Sequence, residues 1–139
     1  MKKLFFITLF LLLSTNSNAQ IHHTLCGLDY EIKVSSVESD VLPSLQEAQM
    51  NWDFSKFKLS KDLTVTIEVV SIFDCFNGEK ASDFKETIRI SSNDPKFKKS
   101  GGFLFNLDNM MTKCFKWRVI VKSKDCIESS NWNQFSFLK

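Results

Sequence analysis

The segment Cys114-Phe115-Lys116-Trp117-Arg118-Val119-Ile120-Val121-Lys122 alternates apolar and charged side chains over most of its length. A period of two puts Phe115, Trp117, Val119 and Val121 on one face and Lys116, Arg118 and Lys122 on the other, which is the pattern of a half-buried strand. The same period recurs along the chain. Tyr30, Ile32 and Val34 share a face, as do Ala48, Met50, Trp52 and Phe54, and then Leu63, Val65, Ile67 and Val69. Phe84, Ile88 and Ile90 follow, then Phe103 with Phe105, and Phe135 with Phe137 closes the chain. Seven half-buried strands in one domain predict an all-β fold, a two-sheet β-sandwich. Around Pro43 to Met50, Leu45, Ala48 and Gln49 also suit a short helix, but Trp52 and the alternation after it favour a strand. The long connections are Asp53 to Asp62 and Asp94 to Gly102, the second marked by Asn93-Asp94-Pro95 and Gly101-Gly102.

Residues 1–19 read as a bacterial secretory signal. Lys2-Lys3 precede an apolar run from Leu4 to Leu13, and Ser17-Asn18-Ala19 offers a small-residue cleavage site before Gln20. The run is too short for a membrane span, and Cys26 lies too far along to be a lipidated first residue. The expected product is secreted or periplasmic, with a short tail at 20–27 and one domain at 28–139. Loss of Lys2 and Lys3 takes Lys+Arg from 18 to 16, equal to the 16 Asp+Glu. A neutral chain carries no electrostatic footprint for nucleic acid or anionic lipid. Lys96, Lys98 and Lys99 read as a solvated loop cluster.

Chemistry-bearing patterns are few. The two histidines, His22 and His23, fall in the expected tail, so no Ser-His or Cys-His pair forms within the body. No Gly-Xaa-Ser-Xaa-Gly elbow, phosphate-cradling glycine loop or His-Glu-Xaa-Xaa-His occurs. A non-enzymatic protein without a cofactor is expected. Cleavage after Ala19 would leave Gln20-Ile21-His22, whose amine, backbone nitrogens and imidazole can surround Cu(II) or Ni(II) in a square plane. Cyclisation of the terminal Gln would remove the amine, and a chance placement in an unstructured tail is the plainer reading of His22. Four cysteines in a small exported chain predict two disulfides among three possible pairings. No two lie within four residues of each other, which does not suit a zinc knuckle.

The C-terminal third resembles a fibronectin type III domain. Phe115-Lys116-Trp117-Arg118-Val119 is similar to that family's sixth strand, and Ser130-Asn131-Trp132 with Phe135-Ser136-Phe137 to its last loop and strand. Trp52 would take the place of the buried Trp on the second strand, and Phe103 to Leu107 would be the fifth strand. Two features depart from the family. Phe115 lacks the hydroxyl of the usual corner Tyr, and the corner Asp108 to Lys113 is long. The resemblance implies an immunoglobulin-like topology in which Cys75 and Cys114 meet at one pole and Cys26 and Cys126 at the other. It also implies that Trp132 packs over Arg118 by a cation–π contact, and Phe76 is expected to pack against its neighbouring disulfide. Pole loops are the usual binding surface of such sandwiches, which makes Phe57, Lys124, Glu128 and Trp132 the candidate contact residues. The function expected from this resemblance is binding of a protein or a glycan through pole loops or an edge strand. A structural subunit of an envelope or secretion assembly is the alternative, and a small enzyme or metal-handling protein a third.

Overall fold

The computed structural model describes residues 22–39, 46–60, 62–76 and 87–137. The expected leader, Gln20, Pro43 to Leu45 and Phe84 lie outside them. In chain order the elements are β1 (His22–Leu25), β2 (Leu28–Glu38), β3 (Gln46–Asp53), β4 (Thr64–Ser71), β5 (Ile88–Ser91), β6 (Ser100–Phe105), α1 (Leu107–Met110), β7 (Cys114–Lys122), β8 (Ile127–Ser129) and β9 (Asn133–Ser136). They form two antiparallel sheets, one of order β1-β2-β3-β6 and the other β5-β4-β7-β8, with β9 also on β7. The fold is an all-β sandwich.

The core lies between the sheets and follows the alternation. Val65, Ile67 and Val69 of β4 and Phe115, Trp117, Val119 and Val121 of β7 face Tyr30 and Ile32 of β2 and Ala48, Met50 and Trp52 of β3. Aromatic rings fill both ends. Phe115 touches Phe105, Phe135 and Phe137 at centroid distances of 5.0, 5.5 and 5.7 Å. At the other end Tyr30, Phe54 and Phe57 cluster, and Phe97 stacks on Trp52 at 6.2 Å. The Trp52 indole N–H donates to the Lys98 carbonyl at 2.9 Å, so this buried Trp keeps its polar atom satisfied.

Several expectations are corrected. Part of the tail is a strand: β1 pairs with β2 across a two-residue turn, Cys26-Gly27, with φ of 50° and 73°. Two positive φ values match the right-handed twist of a hairpin, and Gly27 supplies one of them without strain. The polar connection expected after β7 holds a further strand, β8, which is separated by residues 130–132 from the expected last strand, β9. There the Ser130 N–H donates to the Val119 carbonyl and the Ser130 hydroxyl accepts from the Val119 N–H, so β7 stays satisfied at the break. The fifth strand starts at Ser100, earlier than the glycine pair suggests.

The long corner before β7 holds the short α1. Asn106 and Asn109 cap it reciprocally, each side-chain oxygen accepting the other's backbone N–H at 2.9–3.0 Å. The Ser71 hydroxyl donates to the Met110 carbonyl and the Thr112 hydroxyl to the Cys114 carbonyl. These bonds tie down the corner that Phe115, having no hydroxyl, cannot tie itself.

Candidate functional site

Registry decides which polar side chains meet on the outer face of the second sheet. Glu68 of β4 lies opposite Arg89 of β5 and Arg118 of β7. Its carboxylate accepts from Arg89 at 3.1 Å and from the Arg118 guanidinium at 2.8 Å. Glu68 is the one buried carboxylate among the described residues, and the two guanidiniums compensate its desolvation. Trp132, presented by the break between β8 and β9, lies beside this triad. The Arg118 guanidinium is 4.5 Å and the Lys116 ammonium 5.0 Å from its ring centroid, while 40% of the residue stays exposed. Such contacts hold an aromatic ring at a fixed place on the surface. Further along the same face the Thr66 and Ser91 hydroxyls bond to each other across β4 and β5. Among the described residues this face thus carries Arg89, Lys116, Arg118 and Lys122 against Glu68, a local positive excess in a chain whose formal net charge is only +2.

The other candidate residues do not join this array. Phe57 is 1% exposed: its ring packs on Tyr30 and Phe54, and its carbonyl accepts from the Lys99 ammonium at 2.8 Å. It is a core residue and not a loop contact, because the connection after β3 folds back under the sandwich instead of projecting from it. Lys124 is exposed in the turn after β7, a turn closed by the Ser123 N–H donating to the Cys126 carbonyl. Glu128 accepts the Cys26 backbone N–H, which fixes its carboxylate at the β1–β8 side of the sandwich.

The cysteines are joined as Cys26–Cys126 and Cys75–Cys114, the pairs that the resemblance implied. Cys26, Cys126 and Glu128 bring ligand-type atoms within 4.8 Å of one another, but the two sulfurs are bonded to each other and the carboxylate holds an amide. The cluster is a clasp. His22 lies in β1 opposite Glu31, and the Gln20 and Ile21 that would complete its metal square lie outside the described residues. Phe76 does not pack against its disulfide. It is 93% exposed, its N–H bound to the Asp74 carboxylate in a turn that faces it outward, and Phe73 and Met111 at the same pole are exposed too. The Gln134 side-chain amide instead covers this stretch, donating to the Cys75 carbonyl.

Two titrating groups depart from their ordinary values. The Asp53 carboxyl is held low, first by the Ser100 hydroxyl at 2.7 Å and then by the Ser55 N–H at 2.8 Å. Burial pushes the Tyr30 hydroxyl up. Unfolded tyrosine titrates near pH ~10. Above that pH the unfolded chain binds fewer protons than the folded one, so stability falls as pH rises towards the folded value. Tyr30 is the single tyrosine, so the tyrosinate absorbance band reports it alone. We expect that band to emerge above the free-tyrosine range in the folded protein, and Tyr30→Phe to soften the alkaline loss of stability. Titration at the free-tyrosine value would place the ring outside the core.

Sequence reasoning missed Arg89 and the role of Glu68. Glu68 stands among outward threonines with nothing local to set it apart, since its partners are 21 and 50 residues away. Comparison of the chain with models of protein families, with curated proteins and with solved structures finds no match.

Proposed function

We propose that the chain is an exported, non-enzymatic β-sandwich module, similar to a fibronectin type III domain, that binds a protein or a glycan. Its first, second and fifth predicted strands are β2, β3 and β6 in one sheet, and its third, sixth and last are β4, β7 and β9 in the other. That partition is shared with immunoglobulin-like sandwiches, and the fourth strand, β5, sits beside β4 as an added strand of the second sheet. Two disulfides accord with export to an oxidising compartment.

The observation that carries the binding role is Trp132, a partly exposed ring fixed by two cations of β7 on the outer face of the second sheet. Aromatic and Arg side chains of this kind anchor binding surfaces. Capture from the native source under non-reducing conditions, with wild-type and Trp132→Ala bait, tests it. We expect a protein or carbohydrate partner to be enriched at least tenfold on the wild type over the variant, while the variant keeps its fold and loses about 1 kcal/mol of stability or less. Equal recovery on both baits would remove Trp132 from the binding surface.

The exposed pole of Phe73, Phe76 and Met111 favours a second reading, a structural subunit of an envelope or secretion assembly docked through that pole. In that case Phe76→Ser, and not Trp132→Ala, strips the partner.

A further inference from the structure

Strand β6 forms one edge of the first sheet, and its sequence, Ser100-Gly101-Gly102-Phe103-Leu104-Phe105, contains neither a charge nor a proline. Natural sheets blunt their edges with lysines, prolines or very short strands. The other edges among the described residues follow that rule. β1 and β5 have four residues each, β5 carries Arg89, and β8 and β9 have three and four. The six residues of β6 are the exception.

Hydrogen-bond alternation shows which backbone groups lie open. The β3–β6 register runs from Ala48 opposite Phe105 to Asp53 opposite Ser100, and its next step is bonded, Phe54 N–H to Lys99 C=O at 2.7 Å. Opposed residues alternate between bonded and non-bonded pairs. Gly101, Phe103 and Phe105 therefore bond inwards, and Ser100, Gly102 and Leu104 turn their N–H and C=O groups to the open side. One of these carbonyls, that of Leu104, accepts the Asn109 side-chain amide at 3.0 Å, which marks where the open edge ends.

We propose that β6 pairs antiparallel with β6 of a second copy of this chain, about a two-fold axis at Gly102. The register is self-complementary. Gly102 meets Gly102 and Ser100 meets Leu104, which allows about four backbone hydrogen bonds besides the two Leu104 carbonyls already held by Asn109. Between them Gly101 lies opposite Phe103 on the core-side face. Phe103 is 37% exposed there, and Gly101 has no side chain because the Trp52 ring occupies its place, 2.9 Å from where a Cβ would stand. The Phe103 ring of each copy thus meets the Trp52 ring that stands over the other copy's Gly101, an aromatic contact across the seam. On the opposite face Leu104, 41% exposed, gains cover beside Ser100. The ends also match in charge: Lys96 and Lys98 precede β6 and Asp108 follows it, so the antiparallel arrangement sets lysines of one copy towards the carboxylate of the other. An isologous contact of this kind closes on itself and stops at two copies. The seam is small, so the dimer forms weakly, in a concentration-dependent way.

This inference goes beyond the Trp132 reading and stands apart from it, since a monomer binds through Trp132 equally well. Sedimentation equilibrium of the full processed chain tests the association, with Leu104→Lys as the edge-blocking variant and its unfolding midpoint as the check on folding. We expect a reversible dimer whose dissociation constant rises at least tenfold in the variant. The register is tested by mixing Ser100→Cys chains with Leu104→Cys chains under mild oxidation. A cross-linked pair should form in the mixture and not from either chain alone, because only opposed residues bring their Cα atoms within disulfide reach. A chain that stays monomeric throughout, or a dimer that is indifferent to Leu104→Lys and does not cross-link in the mixture, overturns the proposal.

Discussion

Replacing Cys26 and Cys126 together by serine is expected to cost about 4 kcal/mol, and replacing Cys75 and Cys114 nearly as much, about 4 kcal/mol again in the chain-entropy picture. The bonds close loops with sequence separations of 100 and 39. The smaller loop lies inside the larger one, so it already shortens the ring that Cys26–Cys126 must close, and the logarithm brings the two costs close together. A domain of this size holds only about 5–15 kcal/mol in total, so losing both bonds should leave it largely unfolded at physiological temperature. Urea denaturation of the two double variants measures this. The m-value should rise as each bond is removed, because the cross-linked denatured chain exposes less surface. Unchanged midpoints in both variants would mean that the denatured chain stays compact without its cross-links.

The second large effect is expected at Phe115. It is fully buried and its ring touches three other Phe rings, one across the sandwich on β6 and two at the chain's end. Phe115→Ala removes those contacts and leaves a cavity that the surrounding rings cannot fill, at a cost of about 3–5 kcal/mol. Phe76→Ala is the matched control, since that ring stands in solvent and its loss should cost no more than about 0.5 kcal/mol. Similar costs at the two positions would be incompatible with the packing at the β7 end.

The faces of the strands were legible, and the reason is local. A residue two positions away is on the same side of a strand whatever the rest of the fold does, so Val65, Ile67, Val69, Phe115, Trp117, Val119 and Val121 are readable from spacing alone. What escaped depends on partners distant in sequence. β1 is four residues long and has little pattern of its own; it exists because the Cys26-Gly27 turn lays it back on β2 and a disulfide holds the turn. Phe57 sits in a polar connection whose path is set by Phe54 and Tyr30. Phe76 was expected to cover its disulfide, but Gln134 holds that backbone from the last strand, a contact spanning 59 residues. The Glu68 triad needs the register of three strands at once, and alternation does not supply register. Trp132 beside Arg118 was within reach because the resemblance supplied the pairing of the last two strands.

The nesting of the two disulfides has a consequence for how the protein withstands proteolysis. Cys26 and Cys126 sit near the two ends of the described chain, so a single backbone cut anywhere between them yields no separate fragment; cleavage within 76–113 is bridged twice, by the inner bond and by the outer one. A protease that nicks an exposed loop opens a ring and does not sever a chain. The two halves remain at each other's side, held in effect at high local concentration, and the sheets between them keep their hydrogen-bonded neighbours.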